Sequence, residues 1–299
     1  MNEVIAMFGI SRHAHYQALQ RHLQEQQKAE LYVRSMQQVR EIHPGMGLRT
    51  MYEMLQPDGI GRDAFVALGL QEGFRLKSVE KQTRTTYSTK SNLYGNLLGD
   101  AAFDGINQLW SSDITYLYCL DQFFYIVLIM DVYSRRLIGY NIADNMRAEN
   151  NLAALQMALK LRGVENYHQS LIHHSDKGTQ YASDAYTEAL DRYEIRISMC
   201  NEVYENTHIE RVNDTIKNQY LYRKEMTNKR QLEIQLYETI KAYNETTPHQ
   251  SLNKMSPVQY ENYLLKLPGE KRSKLKIYTV RLNTDASNSK QLNLFNTDV

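Results

Sequence analysis

An unbroken apolar run over residues 123–130 is the feature of this sequence that most restricts its fold. Such a run is typical of a central strand whose two faces are both covered by other elements. Residues 110–119, rich in aromatic and β-branched types, precede it, and residues 120–122 have the pattern of a hairpin turn. Residues 136–142 read as a further strand. The sequence therefore predicts three consecutive antiparallel strands.

Helices and strands alternate after these three strands. The predicted elements are a helix over residues 147–161, a strand over 171–174, a helix over 183–193 with Ser183 as its N-cap, a strand over 196–199, and helices over 209–221 and 229–243. Antiparallel strands followed by alternating strands and helices predict an α/β fold with a mixed five-stranded sheet. This is also the element order of the ribonuclease H-like fold.

The first part of the chain has a different pattern, which is all-helical. Helical periodicity covers residues 12–42, with Ser11 as N-cap, and then residues 48–55 and 62–70. Helix, short turn and helix are the outline of a helix-turn-helix. We divide the chain into a helical DNA-binding region (residues 1–74), a basic linker (75–104), an α/β core with C-terminal helices (105–262) and a basic and polar tail (263–299).

Charge is distributed unevenly along the chain, although the net charge is only +1. The net charge is +2 over residues 1–100, −6 over residues 101–222 and +5 over residues 223–299. An acidic middle between basic flanks suits a carboxylate site that holds cations while its neighbours hold phosphates. Cys119 and Cys200 are far apart and predict free thiols. Without a long apolar run or a signal pattern, we expect a cytoplasmic protein with no membrane partner.

Three carboxylates stand out by position. Asp113 interrupts a strand otherwise built of apolar and aromatic residues, where aspartate is disfavoured. Asp176 follows a short strand, and Glu210 opens a helix. Taken singly, each has an ordinary explanation as a cap or as a complement to a helix dipole. If they converge, like charges about 4 Å apart repel by a few kcal/mol, and a hard dication such as Mg²⁺ with oxygen ligands removes that conflict.

Ordered motifs around these residues resemble a known family. They are NQLWSSDITY at residues 107–116, DVYSRRLIGY at 131–140, HSDKGTQY at 174–181, YEN at 204–206 followed by Glu210 and Lys217, and PHQSL at 248–252 followed by SP. Together they resemble the second-frame transposases of the insertion-sequence-three family, whose core is integrase-like. The resemblance runs from about residue 35 to residue 262, and HPGMG at residues 43–47 is similar to the start of the family's helix-turn-helix.

The resemblance implies a DNA transposase with an Asp-Asp-Glu site. Asp113, Asp176 and Glu210 would coordinate two Mg²⁺ or Mn²⁺ ions, and the enzyme would cleave element ends and join the 3′ hydroxyl to a new phosphodiester. Double-stranded DNA, a homo-oligomer on that DNA and an upstream first-frame protein, fused or separate, are the partners it implies. The segment between Asp176 and Glu210 is shorter than is typical of the family, and Glu205 stands where the family usually has Asp.

The positions of several basic and polar residues relative to the three carboxylates and to the short helices make them candidates for DNA contact. Lys217 lies two helical turns after Glu210 and so should share its face, and the further candidates are Lys177, Gln180, Arg49 and Arg62. His173 and His174 are more typical of structural histidines than of metal ligands. Two alternatives stay open, a nuclease of the same fold without strand transfer and a DNA-binding regulator with an inactive core.

Overall fold

The computed structural model describes residues 11–79, 94–99, 101–164, 170–200 and 203–277. Its first part is an all-helical module of α1 (Arg12–Ile42), α2 (Leu48–Leu55) and α3 (Arg62–Gln71). The predicted cap is confirmed, since the Ser11 side chain accepts a hydrogen bond from the Ala14 backbone N–H at 3.2 Å. Met36, Met51 and Phe65 are fully buried at the centre of this module. The basic linker predicted after it lies largely outside the described residues.

A five-stranded mixed sheet forms the second part, and its strands lie in the order β4-β3-β2-β5-β6. The strands are β2 (Leu109–Cys119), β3 (Gln122–Asp131), β4 (Leu137–Ala143), β5 (Ile172–Ser175) and β6 (Arg196–Met199). β2, β3 and β4 pair antiparallel, whereas β5 is parallel to both β2 and β6. Two short strands, β1 (Ala102–Phe103) and β7 (Leu275–Lys276), pair separately. The predicted α/β class and ribonuclease H-like element order are confirmed.

The tight turn between β2 and β3 shows why the meander folds locally. Leu120 and Asp121 both have positive φ, at 53° and 57°, and they connect the pair Cys119 and Gln122. A two-residue connection with two positive φ values matches the right-handed twist of the strands that it joins. The register that this turn sets places Asp113 opposite Leu128 in the middle of the sheet.

Helices cover both faces of the sheet, as the apolar run predicts. The remaining helices are α4 (Ala148–Arg162), α5 (Asp184–Asp191), α6 (Thr207–Thr215), α7 (Lys229–Glu245) and α8 (Pro257–Lys266). Val127 and Ile129 face one apolar cluster, which includes residues of α4 and α5. Ile126 and Leu128 face the other, which includes residues of α6, α7 and α8. Alternate residues of β3 thus serve two cores.

Most predicted elements lie within one or two residues of their observed bounds, and the clearest difference concerns the helix that carries Glu210. The helix predicted over residues 209–221 stops at Thr215 and continues as a π-helical turn, Ile216–Tyr220. The domain boundary predicted at residue 262 falls inside α8. The boundary at residue 104 follows β1, which pairs with β7 in the segment predicted as a tail. Sequence periodicity does not detect such short pairings, because each depends on a partner far along the chain.

A buried charge network explains part of the motif at residues 131–140. The Asp131 carboxylate is fully buried and accepts a backbone hydrogen bond from Asn107 at 2.6 Å. Arg162 lies 3.6 Å from Asp131 and also contacts Glu261. Arg136 completes the network with a 2.5 Å contact to Glu261. These residues connect the end of β3 to α4 and α8, so this Asp has a structural role.

None of the helices in the described parts of the chain is long and apolar enough to cross a membrane.

The packing of α4 on β4 gives a first testable prediction. A Cβ added at Gly139 would lie 2.2 Å from the Ala154 carbonyl oxygen. Because backbone cannot move aside cheaply, Gly139→Ala should lower the free energy of unfolding by about 1–3 kcal/mol. Gly269→Ala, at a site where a Cβ meets nothing within 4 Å, is the control. Equal urea midpoints for the two variants would contradict this packing.

Candidate active site

Asp113 lies in the middle of β2, where its carboxylate is partly buried. The Asn213 side-chain amide donates a hydrogen bond to Asp113 Oδ2 at 2.6 Å. Burial raises the pKa of Asp113 to about 8, and the nearby Asp176 and Glu210 carboxylates add to that rise, while Lys217 opposes it. The site therefore holds a carboxylate whose negative charge the surrounding protein does not fully neutralise.

Asp176 follows the last residue of β5 and is exposed to solvent. Its Oδ1 accepts a hydrogen bond from the Gly178 backbone N–H at 3.1 Å. A Cβ at Gly178 would come within 3.0 Å of Asp176 Oδ1, so the turn leaves little space for a larger residue. Surrounding protein raises the pKa of Asp176 and the Gly178 bond lowers it, and solvent access limits the rise.

Glu210 lies in the first turn of α6, and Asn206 fixes where this helix begins. The Asn206 amide donates to the Ser112 carbonyl at 3.1 Å, and its Oδ1 accepts a hydrogen bond from the Ser111 hydroxyl. Both serines belong to β2 and immediately precede Asp113. The start of α6 is thereby bound to the strand that carries the first carboxylate. Burial, together with Asp214, raises the pKa of Glu210.

The structure places the three predicted carboxylates on neighbouring elements, because β2 and β5 pair in parallel and Asn213, one turn after Glu210, donates to Asp113. The Asp176 and Glu210 charges add to the effect of burial on the pKa of Asp113. In this conformation, no three His, Cys, Asp or Glu side chains in the described ranges are close enough together to hold a metal ion. The donor set nevertheless suits a hard dication. All three side chains offer oxygen ligands, and a cation would offset both the burial of the Asp113 charge and its repulsion by Asp176 and Glu210.

Lys217 lies in the π-helical turn that follows α6. Its Nζ is 5.2 Å from the centroid of the Tyr116 ring on β2, and its charge lowers the pKa of Asp113. The lysine is therefore on the side of the turn that faces β2. Lys177 follows Asp176 directly and is partly buried. Gln180, also partly buried, donates a weak 3.4 Å hydrogen bond to the Met146 carbonyl.

Arg49 and Arg62 are on the helical module and not beside the carboxylates. Both are exposed, Arg49 in the first turn of α2 and Arg62 at the start of α3. The Arg62 guanidinium is 2.9 Å from the carboxylate of Asp63. An exposed ion pair of this kind contributes little to stability, so its arginine can exchange partners at low cost.

The two histidines before Asp176 have structural partners. His173 Nε2 lies 2.9 Å from the Tyr186 hydroxyl. His174 Nδ1 is 2.9 Å from the Ser198 hydroxyl, and its Nε2 is 3.1 Å from Cys200 Sγ. Burial lowers the pKa of His173 to about 3 and that of His174 to about 4. Both rings are therefore neutral near pH 7 and packed into the sheet.

Sequence reasoning missed Asn213 and gave Asn206 no role. Asn213 is one helical turn after Glu210, and this spacing places it on the same face of α6. The helical spacing could have identified Asn213, because a polar residue on the same helix face as a candidate ligand can hydrogen-bond to the ligands of the site. The Asn206 contacts depend on β2, which is distant in sequence, and so they had no local signal.

The sequence of this chain is similar to integrase core domains and to insertion-sequence transposases. Two family models, each described as an integrase core domain, match residues 104–203 and residues 192–257. The chain is also 30% identical over 197 residues to the transposase InsF of insertion sequence IS3A from Escherichia coli, which spans 64% of this chain and 67% of that protein. The chain belongs to the IS3 family of insertion-sequence transposases, which have an integrase-like core.

Further similarities extend to another transposase and to a viral protein. The chain is 28% identical over 226 residues to the transposase of insertion sequence IS629 from Shigella sonnei, covering 74% of this chain and 75% of the relative. The catalytic core domain of HTLV-2 integrase is similar at a TM-score of 0.43 and 18% identity, covering 56% of this chain and 99% of that one. The family assignment depends on the sequence matches alone.

The raised pKa of Asp113 gives a prediction for the protein in a metal chelator. An unfolded aspartate has a pKa of about 3.9, so the native state binds the extra proton and stability falls as pH rises from about 4 to 8. Asp113→Asn removes the charge and should gain on the order of 2 kcal/mol over wild type at pH 8, with almost no gain near pH 4. Urea unfolding at both pH values measures this.

Asp184→Asn, which removes an exposed carboxylate at the start of α5, is the control for the loss of a surface charge. A gain from Asp113→Asn that is the same at pH 4 and pH 8 would show that burial and like charges do not act on this carboxylate.

Proposed function

We propose that this chain catalyses metal-dependent cleavage of DNA at element ends and strand transfer by attack of the resulting 3′ hydroxyl. The observation that supports the proposal is the arrangement of the elements that carry the three carboxylates: β2 with Asp113 lies beside and parallel to β5, which Asp176 follows, and Asn213, one turn after Glu210, donates to Asp113. Membership of a transposase family supports the same activity in its coarser form, DNA transposition. The double-stranded DNA of element ends and target is then the substrate.

Asp113, Asp176 and Glu210 would hold two Mg²⁺ or Mn²⁺ ions. When bound, such ions activate a water or hydroxyl nucleophile and stabilise the leaving oxygen of an in-line displacement. The protein's own contribution is to keep the three carboxylates together in spite of their mutual repulsion. Asn213 contributes by fixing one oxygen of Asp113.

Basic and polar residues beside the carboxylates would bind the DNA backbone. Lys217 is a compact charge suited to a phosphate and carries no sequence information. Lys177 and Gln180, which lie beside Asp176 in the sequence, would contact the same backbone. On the helical module, Arg62 begins the helix that we assign to the major groove, and Arg49 contacts DNA from the helix before it.

The proposed function also assigns roles to the domains and implies partners for the protein. Residues 1–74 would bind DNA, residues 75–104 would link them to the catalytic core at 105–262, and residues 263–299 would follow as a tail. The protein would act in the cytoplasm as a homo-oligomer on DNA, with an upstream first-frame protein fused or bound to it. A nuclease of the same fold would cleave without joining, and a regulator with an inactive core would bind DNA only.

Neutral variants of the three carboxylates test the proposal. Asp113→Asn, Asp176→Asn and Glu210→Gln should each reduce the rate of joining on the order of 10³-fold or more. When catalytic residues act as a unit, the loss of one removes nearly the whole contribution of the set. DNA binding should persist, since these side chains would hold ions and not bases. The assay follows cleavage and joining of an oligonucleotide that carries the element end, with binding measured by fluorescence anisotropy.

Glu188→Gln, an exposed position on α5, is the matched control and should retain wild-type joining. Near-normal joining by any one of the three variants would remove that residue from the site. Cleavage without joining in the wild type would favour the nuclease, and binding alone would favour the regulator.

The phosphate role of Lys217 has a separate signature. Lys217→Ala should weaken binding equally for all DNA sequences and reduce the slope of log affinity against log salt by about one unit. Lys217→Arg should restore most of the affinity, because charge is the main requirement. Lys241→Ala, at an exposed position on α7, is the control. A salt slope that stays at the wild-type value in Lys217→Ala would contradict the assignment.

A further inference from the structure

The loop that leaves α1 is packed against the catalytic core. His43 is fully buried, and its Nδ1 lies 2.7 Å from the Tyr220 hydroxyl. Its Nε2 lies 3.0 Å from the Thr246 hydroxyl, and the Tyr220 hydroxyl is also 2.9 Å from that of Thr247. A histidine of the helical module thus shares one hydrogen-bond network with two elements of the core.

Gly45, in the same loop, allows a close backbone approach. A Cβ at this position would lie 2.4 Å from Gln219 Cα, 2.5 Å from the Gln219 carbonyl oxygen and 2.8 Å from Arg223 Nε. Real Cβ atoms do not approach backbone so closely, so a larger residue must push the two modules apart. Gly47, two positions on, would place its Cβ in open space. The close fit is therefore specific to the first of these two glycines.

Both contacts fall on the π-helical turn Ile216–Tyr220. Gln219 and Tyr220 are its last residues, and Lys217 is its second. Single π-helical turns inside helices occur frequently at functional sites, because the wider turn changes the direction of the side chains that follow. Here the wider turn presents Lys217 toward Tyr116 and Asp113 on one side, while its other residues receive the loop.

Other contacts hold the modules in the same arrangement. Arg223, whose Nε donates to the Asn218 carbonyl of the core at 2.8 Å, also donates from its terminal nitrogen to the Lys77 carbonyl at 3.1 Å, and this second bond joins the two parts. Glu53 of α2 accepts a hydrogen bond from Gln250 at 2.6 Å and lies 3.2 Å from Lys254 Nζ. The helical module therefore contacts the core through several residues, and His43 and Gly45 form the buried part of that interface.

We propose that the loop of residues 43–45 is a positioning element for the catalytic site. Its packing on the π-helical turn sets where Lys217 lies relative to Asp113, so that the orientation of the DNA-binding module and the geometry of the active site depend on each other. His43 and Gly45 act through Lys217 and touch no DNA. This inference rests on the proposed function, in which Lys217 holds a phosphate.

A purely stabilising interface predicts a different result, and a double-mutant cycle distinguishes the two. Gly45→Ala is compared with Gly47→Ala, each in the wild-type and in the Lys217→Ala background, with the rate of joining measured at saturating DNA. In the wild-type background Gly45→Ala should slow joining at least about tenfold, since a displacement of about 1 Å is costly to catalysis. Gly47→Ala should leave the rate unchanged.

In the Lys217→Ala background Gly45→Ala should change the rate by less than about twofold, because the group it would displace is already gone. The salt slope of Gly45→Ala alone should fall toward that of Lys217→Ala. An equal loss of rate in both backgrounds, or no loss in either, would overturn the inference.

Tyr220→Phe supplies a second variant if Gly45→Ala does not fold. It keeps the ring and removes the hydroxyl that joins His43 to Thr247. The same cycle applies, with a loss of rate expected only where Lys217 is present, and equal losses in both backgrounds again count against the inference. Joining that survives Asp113→Asn would instead remove the proposed function, so the two failures are distinguishable.

Discussion

The burial of Asp113 in the sheet, with two further carboxylates nearby, is the constraint on which the rest of the site depends. Asp113 is held in a strand, where burial and the charges of Asp176 and Glu210 all raise its pKa. A fold that only needed stability would place an apolar or neutral residue there. Under the proposed function, a dication shared among the three side chains would offset this cost, and the loss of stability would accompany metal binding.

The surrounding elements hold the three carboxylates close together. Asn206 binds the start of α6 to the two residues before Asp113, so that Glu210 cannot move away from the strand. Asn213 fixes one oxygen of Asp113. The π-helical turn then directs Lys217 toward the same region, where its positive charge offsets part of the repulsion. The Asn213 amide orients Asp113 without adding a positive charge beside it.

Local patterns in the sequence were sufficient for the sheet and for most helices. The apolar run in β3 predicted a strand covered on both faces, and the residues of β6 and α2 were predicted at their observed bounds. The π-helical turn was not predictable, because the sequence through Ile216 continues a helical pattern and the turn depends on tertiary contacts. The pairing of β1 with β7 was missed for the same reason. For the site, an aspartate inside a strand, an aspartate at a strand end and a glutamate in a first helical turn indicated the three carboxylates, whereas Asn206 and the packing of Gly45 depend on distant partners.

The central claim is that Asp113, Asp176 and Glu210 bind divalent cations together. Electron paramagnetic resonance of Mn²⁺ titrated into the protein bound to an end-containing DNA duplex tests it most directly, because bound and free Mn²⁺ give different signals. We expect saturable binding in the wild type and its loss when any one of the three carboxylates is neutralised. Binding that persists unchanged in all three variants, or wild-type protein that joins DNA without binding Mn²⁺ or Mg²⁺, would contradict the claim.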